Sequence, residues 1–164
     1  MSTEILYSHK IPLRYDTDVF VAGGGPAGVA AAVFAARMGA HVYLAEASGS
    51  FGGAASTMLV PAFMQFGDGE HFLAAGIGRE VYDYLKTEAP ECYHKYCPNS
   101  IPVEILKLCY DDMMTKCGAQ FSFFTTVIDV ITGDRGIDTV ICSAKDGLFA
   151  VRAKVFIDCT GDAD

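Results

Sequence analysis

Apolar residues in this chain fall into short blocks separated by glycines. In "VFVAGGGPAGVAAAVFAARMGA", residues 19–40, four apolar positions run into three consecutive glycines and then into a segment without charge until Arg37. Residues 18–22 read as a short apolar strand. Residues 26–38 read as a helix: Pro26 suits a first-turn position, alanine dominates, and Gly39 stands where a left-handed cap belongs. Residues 41–46, "HVYLAE", are rich in strand formers. Strand, tight glycine turn, helix and strand within about thirty residues form a βαβ unit, whose strands run parallel with a right-handed crossover.

The middle of the chain is less regular. Gly49, Gly52 and Gly53 make a second glycine-rich turn. Residues 76–86 have helical spacing, and 91–100, "ECYHKYCPNS", read as an irregular connection. Pro102 opens another helix, with Val103, Leu106, Tyr110 and Met113 on one face and Gly118 past its end. "AQFSFFTTVIDVI" follows as one strand. "GDRG" and "KDG" then punctuate two more β-runs, "IDTVICSA" and "LFAVRAK", before a last strand "VFIDCT". That tail reads as a three-stranded antiparallel meander inserted before a final parallel strand. The pattern predicts an α/β fold, a doubly wound (Rossmann-like) parallel sheet with an inserted antiparallel β-meander. Residues 1–17 are expected to be an N-terminal extension and 18–164 a dinucleotide-binding domain.

Composition narrows the class. With 51% hydrophobic and 20% charged residues the chain can bury a core, and its net charge of −8 opposes a general grip on nucleic acid or an anionic membrane. No apolar run reaches the ~18 residues that span a bilayer, and the polar start lacks the basic head and apolar middle of a signal peptide. A cytoplasmic location is expected. The six cysteines are scattered without a C-x-x-C, so neither a disulfide framework nor a zinc ribbon is indicated.

Gly23, Gly25 and Gly28 spell G-x-G-x-x-G in the strand–turn–helix context the motif needs. The first glycine permits the turn, the second lets a pyrophosphate approach the backbone, and the third lets the helix pack on the strand. The helix N-terminus, from Pro26 and Ala27, offers N–H groups and a positive dipole end. Glu46, followed by Ala47, stands eighteen residues past Gly28, where a carboxylate accepts ribose hydroxyls and repels a 2′-phosphate. These features leave NAD and FAD level. The second glycine turn, "GSFGGAAS", and the terminal "IDCTGDAD" lie outside the minimal NAD fingerprint and favour FAD.

Three segments in order, "DVFVAGGGPAG", "EASGSFGG" and "IDCTGDAD", resemble FAD-dependent oxidoreductases with a glutathione-reductase-type flavin fold. The resemblance implies that Gly23, Gly25 and Gly28 cradle the FAD pyrophosphate and that Glu46 holds the adenosine ribose. It places Phe51, Gly52 and Gly53 along the pyrophosphate and ribityl side, Val127 by backbone at the adenine, and Thr160, Gly161 and Asp162 at the nucleotide's closing end. It implies hydride or electron transfer between an unassigned small molecule and FAD, with NAD(P)H or another electron partner. Members continue beyond the T-G-D motif into a substrate domain and a segment returning beside the flavin. The chain is therefore expected to be an FAD-binding portion, completed by further sequence, a second copy or another subunit. A plain NAD-dependent dehydrogenase, a non-catalytic dinucleotide-binding fragment and a thiazole-synthase-like protein stay as alternatives.

Two features invite other chemistry. Cys92 and Cys97 have the C-x-x-x-x-C spacing of a redox disulfide, but they fall some forty residues after the second glycine turn instead of directly behind it. With His94 they make three metal ligands without an obvious fourth. His71, after "FGDGE", could approach a flavin or lie on the surface. No residue stands out as a catalytic acid or base.

Overall fold

A computed structural model describes residues 4–6, 8–93, 98–134 and 136–161. The elements, in chain order, are strand β1 (Leu13–Ala22), helix α1 (Pro26–Arg37), strand β2 (Val42–Ala45), helix α2 (Ala54–Thr57), helix α3 (Ile77–Glu88), a 3-10 turn (Pro90–Cys92), helix α4 (Val103–Cys117), and strands β3 (Gln120–Ser122), β4 (Thr126–Gly133), β5 (Gly136–Ala144) and β6 (Gly147–Asp158). One six-stranded sheet has the order β3-β2-β1-β6-β5-β4. Its first four strands pair in parallel, while β6-β5 and β5-β4 pair antiparallel. The architecture is the expected α/β fold with a parallel core and an antiparallel extension.

Alternation along the parallel strands gives the sheet two apolar faces. Val21, Val42 and Leu44 face α1, α3 and α4, where they meet Val29, Val33, Leu85, Leu106 and Met114. Phe20, Tyr43 and Ala45 face the opposite side and pack with Val140, Cys142, Phe149 and Val151 of the antiparallel arm. Both faces are covered, which is why these strands read as continuous apolar runs. Tyr43 is fully buried, and its hydroxyl is satisfied by Ser122 at 2.5 Å.

Four details differ from the sequence reading. β1 begins at Leu13, because its first residues pair with Ala150–Ala153 of β6 and so draw five further residues into the sheet. The run "AQFSFFTTVIDVI" is two strands, broken where Phe124 adopts φ 52°. The meander's third strand and the final parallel strand are one element. β6 uses residues 147–152 against β5 on one edge and residues 150–158 against β1 on the other. The short helix α2 follows the second glycine turn directly.

Candidate functional site

The carboxyl ends of β1, β2 and β6 open into a cavity of about 610 Å³, within the range of small-molecule and cofactor sites. Two rungs of the sheet form its floor. Phe20 pairs with Tyr43 and with Phe156, giving an aromatic row. One rung nearer the strand ends, Ala22 pairs with Ala45 and with Asp158. Aromatic bulk thus supports the floor, and two methyl groups leave room above it.

The first glycine turn is shaped by contact with its surroundings. Gly23 has φ 90°, and a β-carbon there would lie 2.6 Å from the Cys159 carbonyl oxygen. A β-carbon on Gly28 would lie 1.8 Å from the Gly23 carbonyl oxygen, so only a bare helix face fits against the strand end. Gly25 is different. Its backbone is extended (φ −66°, ψ −177°), and a β-carbon there would meet nothing closer than Gly53 Cα at 3.9 Å. Gly25 is also the N-cap of α1 and has no side chain to satisfy the helix's first N–H groups. Its missing side chain leaves open space in front of a helix N-terminus.

The second glycine turn meets the first backbone to backbone. Gly52 N–H donates to the Gly24 carbonyl at 2.9 Å, and a β-carbon on Gly53 would lie 3.1 Å from Gly25 Cα. Glu46 ties the two together: its carboxylate accepts Gly24 N–H at 2.5 Å and Ser48 N–H at 2.6 Å. It is buried, yet it borders the cavity. Thr125 N–H donates to the Glu46 carbonyl, which holds the start of β4 over the same opening.

Most of the residues singled out in the sequence meet here. Gly23, Gly25, Pro26, Ala27, Glu46, Ala47, Gly53, Val127, Thr160 and Gly161 all line the cavity. Gly28, Phe51 and Gly52 stand behind the wall. Phe51 is fully buried against Phe121 and Phe123, and a β-carbon on Gly24 would touch its ring. Asp162 lies outside the described residues, as do His94 and Cys97. His71 sits away from the cavity, its ring 3.4 Å from Asp68 on an exposed turn. Among the described residues, no group of three or more His, Cys, Asp or Glu could hold a metal ion.

Asp158 and Cys159 were not singled out in the sequence, although both border the cavity. Asp158 Oδ1 accepts the Thr160 hydroxyl at 2.7 Å and its N–H at 2.9 Å, and these bonds hold the carboxyl below its ordinary range. Burial pushes the Cys159 thiol up. The available signal for Asp158 was its strand phase, two residues after Phe156 on the same face.

A sheet with a parallel core and a glycine-lined crevice outside the carboxyl ends of those strands is the architecture of a dinucleotide-binding α/β protein. More specifically, the chain belongs to the FAD dependent oxidoreductase family, whose model matches residues 18–164, and its cofactor is FAD. No curated protein matches the chain. Among solved structures, Thermovibrio ammonificans THI4 is similar at 22% identity and TM-score 0.62, over 89% of this chain and 58% of that one. A 3-ketosteroid-Δ4-(5α)-dehydrogenase from Rhodococcus jostii RHA1 is similar at 20% identity and TM-score 0.61, over 88% and 46%. The myxobacterial chondrochloren halogenase CndH, an FAD-dependent halogenase, is similar at 18% identity and TM-score 0.59, over 92% and 38%. The chain thus spans about half the length of the first two and less of the third. The likeness supports the fold, and the family carries the cofactor.

The observed residues fit that cofactor. The space in front of Gly25 is what a β-carbon would fill, and it lies where the α1 N-terminus presents unpaired N–H groups and a positive dipole end to phosphate.

Proposed function

We propose that this chain is the FAD-binding portion of an oxidoreductase that passes a hydride or electrons between a small-molecule substrate and the flavin. The observation that carries this reading is the bare contact of Gly25 with Gly53, two glycine turns meeting beside a helix N-terminus. In this reading Gly25, Ala27 and Gly53 hold the pyrophosphate by backbone, Glu46 takes the adenosine ribose, and Val127 meets the adenine. Gly28, Phe51 and Gly52 shape the cradle from behind, while Thr160, Gly161 and Asp162 close the far end. FAD supplies the redox chemistry once bound; the protein supplies its position, its electrostatics and its separation from water.

The only titratable lining residues among those described are Glu46, Asp158 and Cys159. That supports placing the substrate-facing groups on a further domain, a second copy or a completing subunit; NAD(P)H or another electron partner is part of the proposal. It also favours a second reading, a dinucleotide-binding module without turnover of its own. A cytoplasmic location is part of the proposal: the described cysteines are free, and no helix among the described residues is long and apolar enough to cross a membrane.

The test is to load the purified chain with FAD and add NADH or NADPH without oxygen, alone and together with any polypeptide that co-purifies with it or extends it. Bleaching of the flavin's visible absorbance that requires the added polypeptide supports the oxidoreductase reading. Stable binding without reduction under either condition favours the module.

A further inference from the structure

The Ala45–Ala22–Asp158 rung sets charge as well as shape. Adjacent strands lie roughly 4.8 Å apart, so Asp158 stands one strand from Ala22 and two from Ala45. Glu46 follows Ala45 on the opposite side. The small-residue floor is therefore bracketed by two carboxylates. None of the described lining residues is Lys, Arg or His. Thr160 commits its N–H and its hydroxyl proton to Asp158 Oδ1, which removes two donors from phosphate recognition. An anion in this cavity is held by backbone N–H groups and the helix end, a partial positive charge of about half a unit.

We propose that Asp158 sets the charge selectivity of the cavity, admitting a pyrophosphate whose phosphates are both esterified and disfavouring one that ends in a phosphate monoester. The proposal rests on the FAD reading and deepens it. A diester phosphate carries one negative charge. A terminal monoester carries about −1.5 to −2 at neutral pH, and here the added charge meets a lining carboxylate, with no basic side chain among the described lining residues to offset it. FAD and ADP-ribose belong to the first class and ADP to the second. Asp158 acts as a specificity residue for the nucleotide, distinct from Glu46, which the sugar hydroxyls engage.

Isothermal titration of ADP-ribose and of ADP into the wild-type chain and into Asp158→Asn tests this. The asparagine keeps an oxygen for both Thr160 donors and removes only the charge. The ADP-ribose over ADP preference is expected to fall about fivefold in the variant, the effect of one unit charge several ångströms away at an intermediate dielectric. In the wild type the preference is expected to shrink as salt rises from about 50 to about 500 mM. A variant that weakens both ligands by the same factor would show a structural role and overturn the proposal. If the variant does not fold, the wild-type salt series decides, and a salt-independent preference overturns it. Failure of the wild type to bind either ligand or FAD would instead defeat the FAD reading on which the proposal rests.

Discussion

The carbonyl oxygen of Gly23 occupies the place where residue 28 would carry a β-carbon, 1.8 Å from that position. The close approach of α1 to the end of β1 depends on it. Gly28→Ala must move backbone against backbone and is expected to cost about 3 kcal/mol or to prevent folding. Urea denaturation of the variant measures this, and a loss under about 0.5 kcal/mol would show that the helix shifts freely.

Gly25 is expected to behave oppositely. Its backbone needs no positive φ and its β-carbon position is open, so Gly25→Val should stay folded and lose at most about 1 kcal/mol, the preference of an N-cap for glycine over valine. FAD affinity should fall on the order of 100-fold, because the valine occupies the phosphate's place and screens the helix N–H groups. Paired thermal melts and flavin titrations separate the two effects.

Glu46 accepts two backbone N–H groups in a buried setting. Glu46→Gln replaces one acceptor oxygen with an NH2 that must face an N–H. It is expected to lose about 1–3 kcal/mol of stability as well as FAD affinity. A variant with weakened FAD binding and an unchanged midpoint would mean that the carboxylate serves the ribose alone.

Arg37 and Glu80 join α1 to α3 by two bonds of 2.8 Å, and this pairing holds the Glu80 carboxyl below its ordinary value. A depressed carboxylate contributes stability that is present above its unfolded value, 4.5, and is lost as pH falls through the lower folded value. The pair is half exposed, so Glu80→Gln is expected to cost only about 0.5 kcal/mol at neutral pH. The difference should fade as pH falls below the ordinary carboxylate range. Urea midpoints of both proteins at neutral and acid pH check the sign.

Cys109 and Cys142 are fully buried, and burial pushes both thiols up to about 12. Neither is expected to react with iodoacetamide at mild pH until the chain unfolds. Peptide mapping of the alkylated native protein would reveal any labelling.

Much of this site is legible in the sequence, because glycine and proline punctuate locally. The G-x-G-x-x-G turn, the Pro26 helix start and Glu46 at the end of β2 depend on neighbours within a few residues. The misread elements depend on distant ones. The sequence pattern splits β6 after Lys154 because one stretch serves an antiparallel partner and a parallel one, and apolar patterning cannot tell which edge of a strand pairs with what. Phe124 at φ 52° carries no glycine to signal a break. Asp158 gained meaning only when the register set it beside Ala22.

The central claim is that bare backbone at Gly25 and Gly53 holds FAD. The most direct measurement is the visible absorbance spectrum of the purified wild type and Gly25→Val after FAD addition and gel filtration, with the acid-released nucleotide identified by chromatography. The account predicts a flavin spectrum and released FAD from the wild type, and a colourless, folded variant. A wild type that emerges colourless, or a variant that retains as much FAD, would contradict it.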